Sequence, residues 1–223
     1  MDRLSVLRDA VLNGDAAAAV AAARQAMADG TDPLAIVTQG FTPALKEAGR
    51  LFEEGEYFVP ELLVSARASQ AVFEIIRPLL QRRGVRPAGR IALGTVRGDV
   101  HDIGKNLVAA MLEGGGFAVD DLGVDVPPER FVAAAAAGQV DVVALSALLT
   151  TTMPAMQATI EALRAAGVRD RVKVIVGGAP LSASHALAIG ADGYSENAAA
   201  AVALVRRLLG TPEPAGSPVE VTS

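Results

Sequence analysis

Apolar residues recur every three or four positions up to about residue 81, which is the spacing of amphipathic helices. Capping residues, prolines and glycines mark the helix ends, and a capping residue directly before a proline is a strong helix start. We therefore predict four helices: residues 4–12, a second after the break at Asn13-Gly14-Asp15, a third from Thr31-Asp32-Pro33 to about Glu54, and a fourth from Pro60 to about Gln81.

The pattern changes after a linker of basic, glycine and proline residues at 82–89. From there short apolar runs alternate with helical periodicity, which favours a parallel sheet built from right-handed β-α units. The predicted strands are residues 91–95, 117–122, 140–145, 172–176 and 192–194, and the predicted helices begin near Ile103, Pro128, Pro154, Ser182 and Asn197.

The sequence therefore predicts a helical domain over residues 1–85, an α/β domain over residues 86–210 and a disordered tail at 211–223. Five β-α units suit a five-stranded parallel flavodoxin-like (Rossmann-like) sheet of strand order 2-1-3-4-5. Ligands of such a sheet bind beyond the carboxyl ends of the strands, at the switch between the first and third.

The composition excludes several classes of function. The net charge of −5 gives no general attraction to nucleic acid or to anionic membranes. The absence of cysteine excludes disulfides, thiolate nucleophiles, cysteine-ligated zinc and iron–sulfur clusters. The N-terminus lacks a signal-peptide pattern and no apolar run is long enough to span a bilayer, so we expect a cytoplasmic protein.

The loop after the first predicted strand carries a candidate metal ligand. Asp99 lies two residues before His101, so its carboxylate can accept one imidazole N–H and make the other ring nitrogen a better ligand. A phosphate-binding loop does not fit. Five residues separate Gly98 from Gly104-Lys105 where that loop has four, and Asn106 replaces the Ser or Thr that holds magnesium.

Two other strand ends should meet this loop. The third predicted strand ends in a run of hydroxyl residues between Ser146 and Thr152. The fourth ends in Gly177-Gly178, where missing side chains let a ligand approach the backbone. Because the carboxyl ends of parallel strands lie at one edge of the sheet, we expect these three features to converge there.

Three motifs in this order resemble the cobalamin-binding domain of corrinoid-dependent methyltransferases: Asp-x-His-x-x-Gly at 99–104, Ser-x-Leu at 146–148 and Gly-Gly at 177–178. The segment 49–63 is similar to the four-helix bundle cap that precedes this domain, as in cobalamin-dependent methionine synthase. The resemblance covers residues 1 to about 210. A chain made of this cap and this domain alone is similar to the methyl-carrying corrinoid proteins of methanol, methylamine and methoxy-aromatic systems.

The resemblance implies cobalamin bound with its own base displaced and with His101 as the lower axial ligand of cobalt. Asp99 would bind the other imidazole nitrogen and Thr152 would complete a proton relay. The residues expected to contact the cofactor are Gly98, Val100, Asp102, Ile103, Gly104, Ser146, Leu148, Thr150, Gly177, Gly178, Tyr194 and Ser195. Four apolar cap residues are expected to cover the methyl group: Phe52, Phe58, Val59 and Leu62.

These roles suit the composition, because the corrin ring already supplies four nitrogens and the chain has only two histidines and no cysteine. The implied function is a methyl carrier that alternates between methylcobalamin and cob(I)alamin and is not catalytic alone. Its implied partners are a substrate-specific methyltransferase, a second methyltransferase acting on a folate or a thiol, and a reductive activator. The sequence indicates neither the methyl donor nor the oligomeric state.

Each of these features could also have a purely structural role that involves no cofactor. His101 could be a surface residue of a loop, and Thr150-Thr151-Thr152 could satisfy backbone groups at a strand end. The four cap residues could be the core of a helix bundle, since apolar periodicity does not separate a lid from a core. Asp102 could be a helix-start residue and Lys105 a residue of a solvated face, so both are left outside the catalytic set, and we assign His185 no role.

A cobalamin-based sensor, responding to light or to a ligand, is the alternative function. Such regulators share this pair of domains but usually carry a DNA-binding helix-turn-helix before the cap, for which the predicted first helix leaves no room. Their cap also contains a tryptophan, which this chain lacks. The cobalamin subunit of a mutase is a third candidate, disfavoured by the helical cap.

Overall fold

The computed structural model describes residues 2–83 and 86–211, which fall into two compact units. One unit is helical and extends through Arg86, and the other spans Pro87–Thr211. The predicted tail lies outside the described residues except for Thr211.

The helical unit contains the four predicted helical segments. Its core is formed by buried apolar residues from all of them, including Leu7, Ala23, Phe41 and Ile76. The elements are α1 (Arg3–Leu12), α2 (Ala16–Ala28), α3 (Pro33–Ala35), a π-helical segment (Ile36–Phe41), α4 (Thr42–Glu53) and α5 (Val59–Arg82).

The π-helical segment interrupts what the sequence predicts as one α-helix from Asp32 to Glu54. Pro43 has no N–H to donate to the carbonyl of Gln39, four residues earlier. That carbonyl instead accepts a hydrogen bond from the guanidinium of Arg8 on α1, at 2.8 Å. Because a Cβ at Gly40 would lie 2.7 Å from Leu7 Cδ2, the glycine lets α1 pack close against this segment.

Side chains cap the helix starts, as predicted at Asp15 and Asp32. The carboxylates of Asp2, Asp15 and Asp32 accept N–H groups of the first turns of α1, α2 and α3. At α5 the Glu61 carboxylate accepts the N–H of Phe58, at 3.0 Å, which is the backward half of a capping box. These contacts define where each helix begins.

The α/β unit contains a five-stranded parallel sheet within the described residues, of order β2-β1-β3-β4-β5, which confirms the predicted fold and strand order. Its strands are β1 (Arg90–Val96), β2 (Ala118–Val126), β3 (Val142–Ser146), β4 (Lys173–Gly177) and β5 (Gly193–Ser195). Its α-helices are α6 (Ile103–Gly114), α7 (Pro128–Ala136), α8 (Met153–Ala165), α9 (Ala183–Ile189) and α10 (Ala198–Leu209).

Alternate strand residues pack against helices on the two faces of the sheet. One face packs Leu145 and Val176 with residues of α7, α8 and α9. The other packs Leu93, Ala144 and Ile175 with residues of α6 and α10. Both faces are therefore covered, as a parallel sheet requires.

A row of small residues crosses the sheet where its strands end. Thr95 pairs with Ser146, Ser146 with Gly177, and Gly177 with Ser195. Thr95 and Ser146 lie two residues after Leu93 and Ala144, so the row belongs to the face covered by α6 and α10. The carboxyl edge of this face therefore lacks large side chains.

Strand β2 is longer than predicted and irregular at its end. Leu93 pairs with Asp121, but Val96, three residues later, pairs with Val126, so β2 carries two extra residues over this stretch. Such bulges bend a strand and redirect its side chains. Asp125, within the bulged stretch, has a φ of 51°, the single positive value among the described non-glycine residues.

Gly178 allows the loops after β3 and β4 to approach each other. Its φ is 143°, and a Cβ at this position would lie 1.8 Å from the carbonyl oxygen of Ala147. Because that neighbour is backbone, it cannot move aside without shifting the strand end.

Replacing Gly178 with alanine should therefore destabilise the protein by at least about 3 kcal/mol, the sum of backbone strain and overpacking. Gly116→Ala is the matched control, since Gly116 has a φ of 87° and open space at the Cβ position. The control should cost only about 1–2 kcal/mol of backbone strain. Urea unfolding gives the free energy of unfolding of both variants. An equal decrease in the two would show that the close approach of Gly178 to Ala147 adds no cost.

Candidate functional site

The predicted histidine loop connects β1 to α6. A turn through Arg97 and Gly98 follows β1, and the N–H of Asp99 donates to the carbonyl of Val96 at 3.1 Å. Gly98 has a φ of 84°, a conformation that side chains rarely adopt. Asp99 directly follows this turn, and His101 lies two residues before Ile103, the first residue of α6.

The carboxylate of Asp99 is fully buried and accepts four hydrogen bonds. Its Oδ1 accepts the ring Nδ1–H of His101 at 2.6 Å and the backbone N–H of His101 at 3.1 Å. Its Oδ2 accepts the backbone N–H of Leu148 and the hydroxyl of Thr152, both at 2.7 Å. The structure thus brings together the three residues predicted to act in methyl transfer.

These contacts determine the charge of Asp99. Burial by itself would raise the pKa of this carboxyl, because it penalises the charged form. The hydrogen bonds from Leu148, Thr152 and His101 outweigh burial and hold the pKa of Asp99 well below its ordinary value. Asp99 is therefore a carboxylate at neutral pH.

An ionised Asp99 fixes the tautomer of His101. A carboxylate can only accept, so the proton of the neutral imidazole lies on Nδ1 and the lone pair lies on Nε2. The His101 side chain is 45% exposed, so the ring is accessible to a ligand while one of its nitrogens is held by a buried group. This is the arrangement by which proteins orient a metal-binding histidine.

Large apolar side chains lie exposed around this imidazole. Val100 and Ile103 flank His101 in the chain and are 68% and 70% exposed. Leu148, whose N–H binds Asp99, and its neighbour Leu149 are also exposed. Exposed apolar side chains beside an accessible imidazole nitrogen fit a large flat ligand that brings its own metal.

The Thr152 hydroxyl lies between two acceptors. Its Oγ1 is 2.7 Å from Asp99 Oδ2 and 2.9 Å from the carbonyl oxygen of Leu149. A hydroxyl has one proton to donate, and an ionised acceptor forms the stronger bond, so it donates to Asp99. The Leu149 carbonyl is a second acceptor within reach if the carboxylate changes its charge.

The other residues predicted to contact the cofactor lie along the carboxyl edge of the sheet. Ser146, Gly177 and Ser195 belong to the row of small residues, and the Ser195 hydroxyl donates to the carbonyl of Asn197 at 2.6 Å. Gly104, in the first turn of α6, has open space where a Cβ would be. Tyr194 is half-buried in β5 and Thr150 is exposed.

Gly177 and Gly178 were predicted to leave space for a ligand, but at Gly178 this space is filled by backbone. The space left by its missing side chain is occupied by the Ala147 carbonyl, and a Cβ at Gly177 would lie 3.2 Å from the carbonyl oxygen of Ser195. The double glycine thus lets neighbouring strand ends approach each other. Contact of either glycine with a cofactor stays a prediction.

Lys105 was wrongly expected on a solvated face. Its ammonium is buried, forms an ion pair with Asp121 on β2 and donates to the side-chain oxygen of Asn106. Asp102 does precede α6 as predicted, and its exposed carboxylate accepts the Asn106 amide at 3.2 Å. The helical pattern of α6 carries no information about the partner that Lys105 finds on β2.

Two further residues, which were not predicted from the sequence, hold the loop. The buried hydroxyl of Thr95 donates to the carbonyl of His101 at 2.8 Å. The Asp125 carboxylate accepts the N–H of Gly98, and the Asp125 N–H donates to the carbonyl of Asp99. A polar residue at the end of the first predicted strand could have indicated Thr95, but no local pattern indicates Asp125.

The four predicted lid residues lie in the helical unit. Phe58 is 66% exposed and Val59, the first residue of α5, is also exposed. Phe52 is half-buried and Leu62 is fully buried. Their contact with a methyl group stays a prediction.

Over residues 2–83 and 86–211 no group of three or more His, Asp or Glu side chains could hold a metal ion. In the same residues no helix has the length and apolar character needed to cross a membrane.

Two family models match the chain. The model described as a B12 binding domain matches residues 89–203, and a second model with the same description matches residues 4–77. Together they account for both units of the structure.

Relatives and solved structures agree with these models. A trimethylamine corrinoid protein of Methanosarcina acetivorans is 42% identical over 204 residues, covering 91% of this chain and 94% of the relative. A cobalamin-binding protein of Desulfitobacterium hafniense superposes with a TM-score of 0.78 and 34% identity, covering 92% of this chain and 97% of that one.

The methanol:cobalamin methyltransferase complex of Methanosarcina barkeri also matches, with a TM-score of 0.80, 27% identity, and coverage of 95% of this chain and 81% of that one. The matches span both units, and the histidine loop, the row of small residues and the apolar surroundings of His101 fit a corrinoid. The predicted cofactor and family are thus confirmed, and the chain belongs to the B12-binding corrinoid proteins.

Proposed function

We propose that this protein carries a methyl group on a cobalamin whose own base is displaced, with Nε2 of His101 as the lower axial ligand of cobalt. The observation that carries this proposal is the buried Asp99 carboxylate, which binds Nδ1 of His101 and leaves Nε2 to the metal. The trimethylamine corrinoid protein and the methanol:cobalamin methyltransferase complex among the matches support a methyl-carrying function.

Distinct parts of the α/β unit would hold the cofactor. The apolar side chains of Val100, Ile103 and Leu148 would contact the corrin ring around His101. The row from Thr95 to Ser195, together with the open space at Gly104, would accept the displaced nucleotide tail. When bound, the corrinoid supplies a cobalt centre that accepts and releases a methyl group.

The chain's own contribution is to adjust the axial ligand. When Nε2 binds the metal, the Nδ1–H of His101 donates to Asp99, and the negative charge of Asp99 makes the imidazole a stronger donor. The Thr152 hydroxyl and the Leu148 N–H would hold Oδ2 of Asp99 while its Oδ1 orients the imidazole.

The partners we propose are a substrate-specific methyltransferase, an acceptor methyltransferase acting on a folate or a thiol, and a reductive activator. Methylated amines and methanol are the first donors to test, because the names of the relatives and of the matching complex contain them. The decisive experiment is methylation of the reduced holoprotein by each donor with its cognate methyltransferase, and no methylation by any donor would contradict the proposal.

Replacing His101 with alanine should change the visible spectrum of the reconstituted protein to that of cobalamin without an axial nitrogen, and should slow methyl cycling. The control is His185→Ala, which removes the other histidine of the chain and should leave the spectrum unchanged. An unchanged spectrum for His101→Ala would refute the axial-ligand assignment.

Replacing Thr152 with valine should lower the free energy of unfolding of the apoprotein by about 1.5–3 kcal/mol, the value of a hydrogen bond to a charged group. Valine has nearly the shape of threonine but leaves Oδ2 of the buried carboxylate with one donor fewer. Thr152→Ser keeps the hydroxyl and should lie closer to the wild type. Equal stability of the valine and serine variants in urea would show that the hydroxyl does not support Asp99.

Replacing Gly104 with valine should weaken cobalamin binding at least about tenfold, equal to about 1.4 kcal/mol. The added side chain would enter space that no atom of the described chain occupies, so the apoprotein should fold normally. Calorimetric titration with cobalamin gives the affinity, and the melting temperature of the apoprotein serves as the control. Unchanged affinity would place the cofactor elsewhere.

A further inference from the structure

We propose that the bulged end of β2, residues 121–125, positions the axial-ligand loop by contacting it on both sides of His101. Asp125 binds the residues before the histidine, and Asp121 binds Lys105 after it. This inference rests on the proposed role of His101, and it makes Asp121 and Asp125 positioning residues that act through the loop.

Asp125 makes a reciprocal pair of hydrogen bonds with the start of the loop. Its Oδ1 accepts the N–H of Gly98 at 2.7 Å, and its own N–H donates to the carbonyl of Asp99 at 2.9 Å. These bonds fix the backbone on both sides of the Gly98–Asp99 peptide. The carboxylate that binds His101 is therefore attached to a backbone held by β2.

The conformation of Asp125 depends on the bulge. Its φ of 51° lies in the left-handed region, which aspartate tolerates better than most residues but which still costs free energy. Residues in such conformations concentrate at functional sites, where surrounding contacts hold them. In this conformation both the N–H and the side chain of Asp125 form hydrogen bonds with the loop.

Asp121 makes the second contact, after the histidine. Its carboxylate forms an ion pair with the buried Lys105 in the first turn of α6, and its Oδ1 accepts the N–H of Gly123 within the bulge at 2.9 Å. One carboxylate thus connects the bulge to the helix that begins two residues after His101. The start of α6 is fixed relative to β2 by this pair.

The two strands next to β1 contact different parts of the loop. The loop after β3 supplies the Leu148 N–H and the Thr152 hydroxyl, which satisfy the Asp99 carboxylate. The end of β2 binds the backbone before His101 and the helix after it. Since β2 and β3 flank β1 on opposite sides, the loop is held from both.

Asp125→Gly and Asp125→Asn separate the side chain from the backbone. Glycine adopts the positive φ without strain and keeps the N–H, but it removes the acceptor of the Gly98 N–H. Asparagine tolerates the same φ and keeps an acceptor oxygen. Asp125→Asn should therefore hold the loop as the wild type does, while Asp125→Gly should leave the Gly98 N–H without its acceptor and make the loop more mobile.

The main readout is the electron paramagnetic resonance spectrum of the cobalt(II) holoprotein, in which an axial imidazole nitrogen splits the cobalt lines. The fraction of protein with this splitting should fall in Asp125→Gly and be restored in Asp125→Asn. In the apoprotein, amide exchange at Gly98 should accelerate about fivefold to tenfold in Asp125→Gly, as expected for one lost hydrogen bond. A purely structural role would lower the melting temperature without changing the nitrogen-bound fraction.

Lys105→Met tests the second contact, because methionine fills the buried space of Lys105 and removes its charge, while the Asp121 carboxylate left behind is 43% exposed and stays solvated. It should keep the melting temperature near that of the wild type and lower the nitrogen-bound fraction. A wild-type fraction in Lys105→Met would overturn the role of Asp121, and a wild-type fraction in Asp125→Gly would overturn that of Asp125.

The wild type and His101→Ala separate this inference from the proposed function. Nitrogen splitting in the wild type and its loss in His101→Ala would support the axial ligand whatever the β2 variants do. If the wild type itself shows no splitting, the axial-ligand assignment fails, and the positioning role fails with it.

Discussion

The buried carboxylate of Asp99 is the constraint on which the arrangement of the α/β unit's carboxyl edge depends. An ionised group without solvent must be compensated by hydrogen bonds, and removing one partner of such a group leaves it costly. Asp99 meets this requirement with donors from His101, Leu148 and Thr152. The loop after β3 therefore has to approach the loop after β1, and Gly178 in turn lets the loop after β4 approach Ala147.

The same arrangement separates two kinds of surface. The loops beside His101 expose the apolar side chains of Val100, Ile103 and Leu148, so a ring placed against them gains apolar contact. Beyond them, the row of Thr95, Ser146, Gly177 and Ser195 offers small side chains and backbone. A cofactor with a broad apolar ring and a polar tail meets complementary chemistry on both surfaces.

Regular periodicity made most of the fold predictable. Alternating β-α units determined the order β2-β1-β3-β4-β5, and Asp32 before Pro33 located a helix start that the structure confirms. The contact between Asp99 and His101 was predictable because the two residues are near neighbours in one loop. The other residues predicted to contact the cofactor came from a resemblance of three motifs, in their order, to a known domain.

What escaped prediction depends on contacts between distant segments. The π-helical segment at Ile36–Phe41 depends on a carbonyl that Arg8 satisfies from another helix. Burial of Lys105 depends on Asp121, which lies on β2 and outside any helical pattern. The left-handed Asp125 arises from a bulge that apolar alternation does not reveal, because the pattern counts residues and not their pairing.

The donors to Asp99 all belong to the unit spanning Pro87–Thr211, and this has a consequence for how such proteins can diversify. Substitutions in the helical unit leave every one of those donors in place. The surface of the helical unit and the hydrogen bonds that hold the imidazole can therefore change independently of each other.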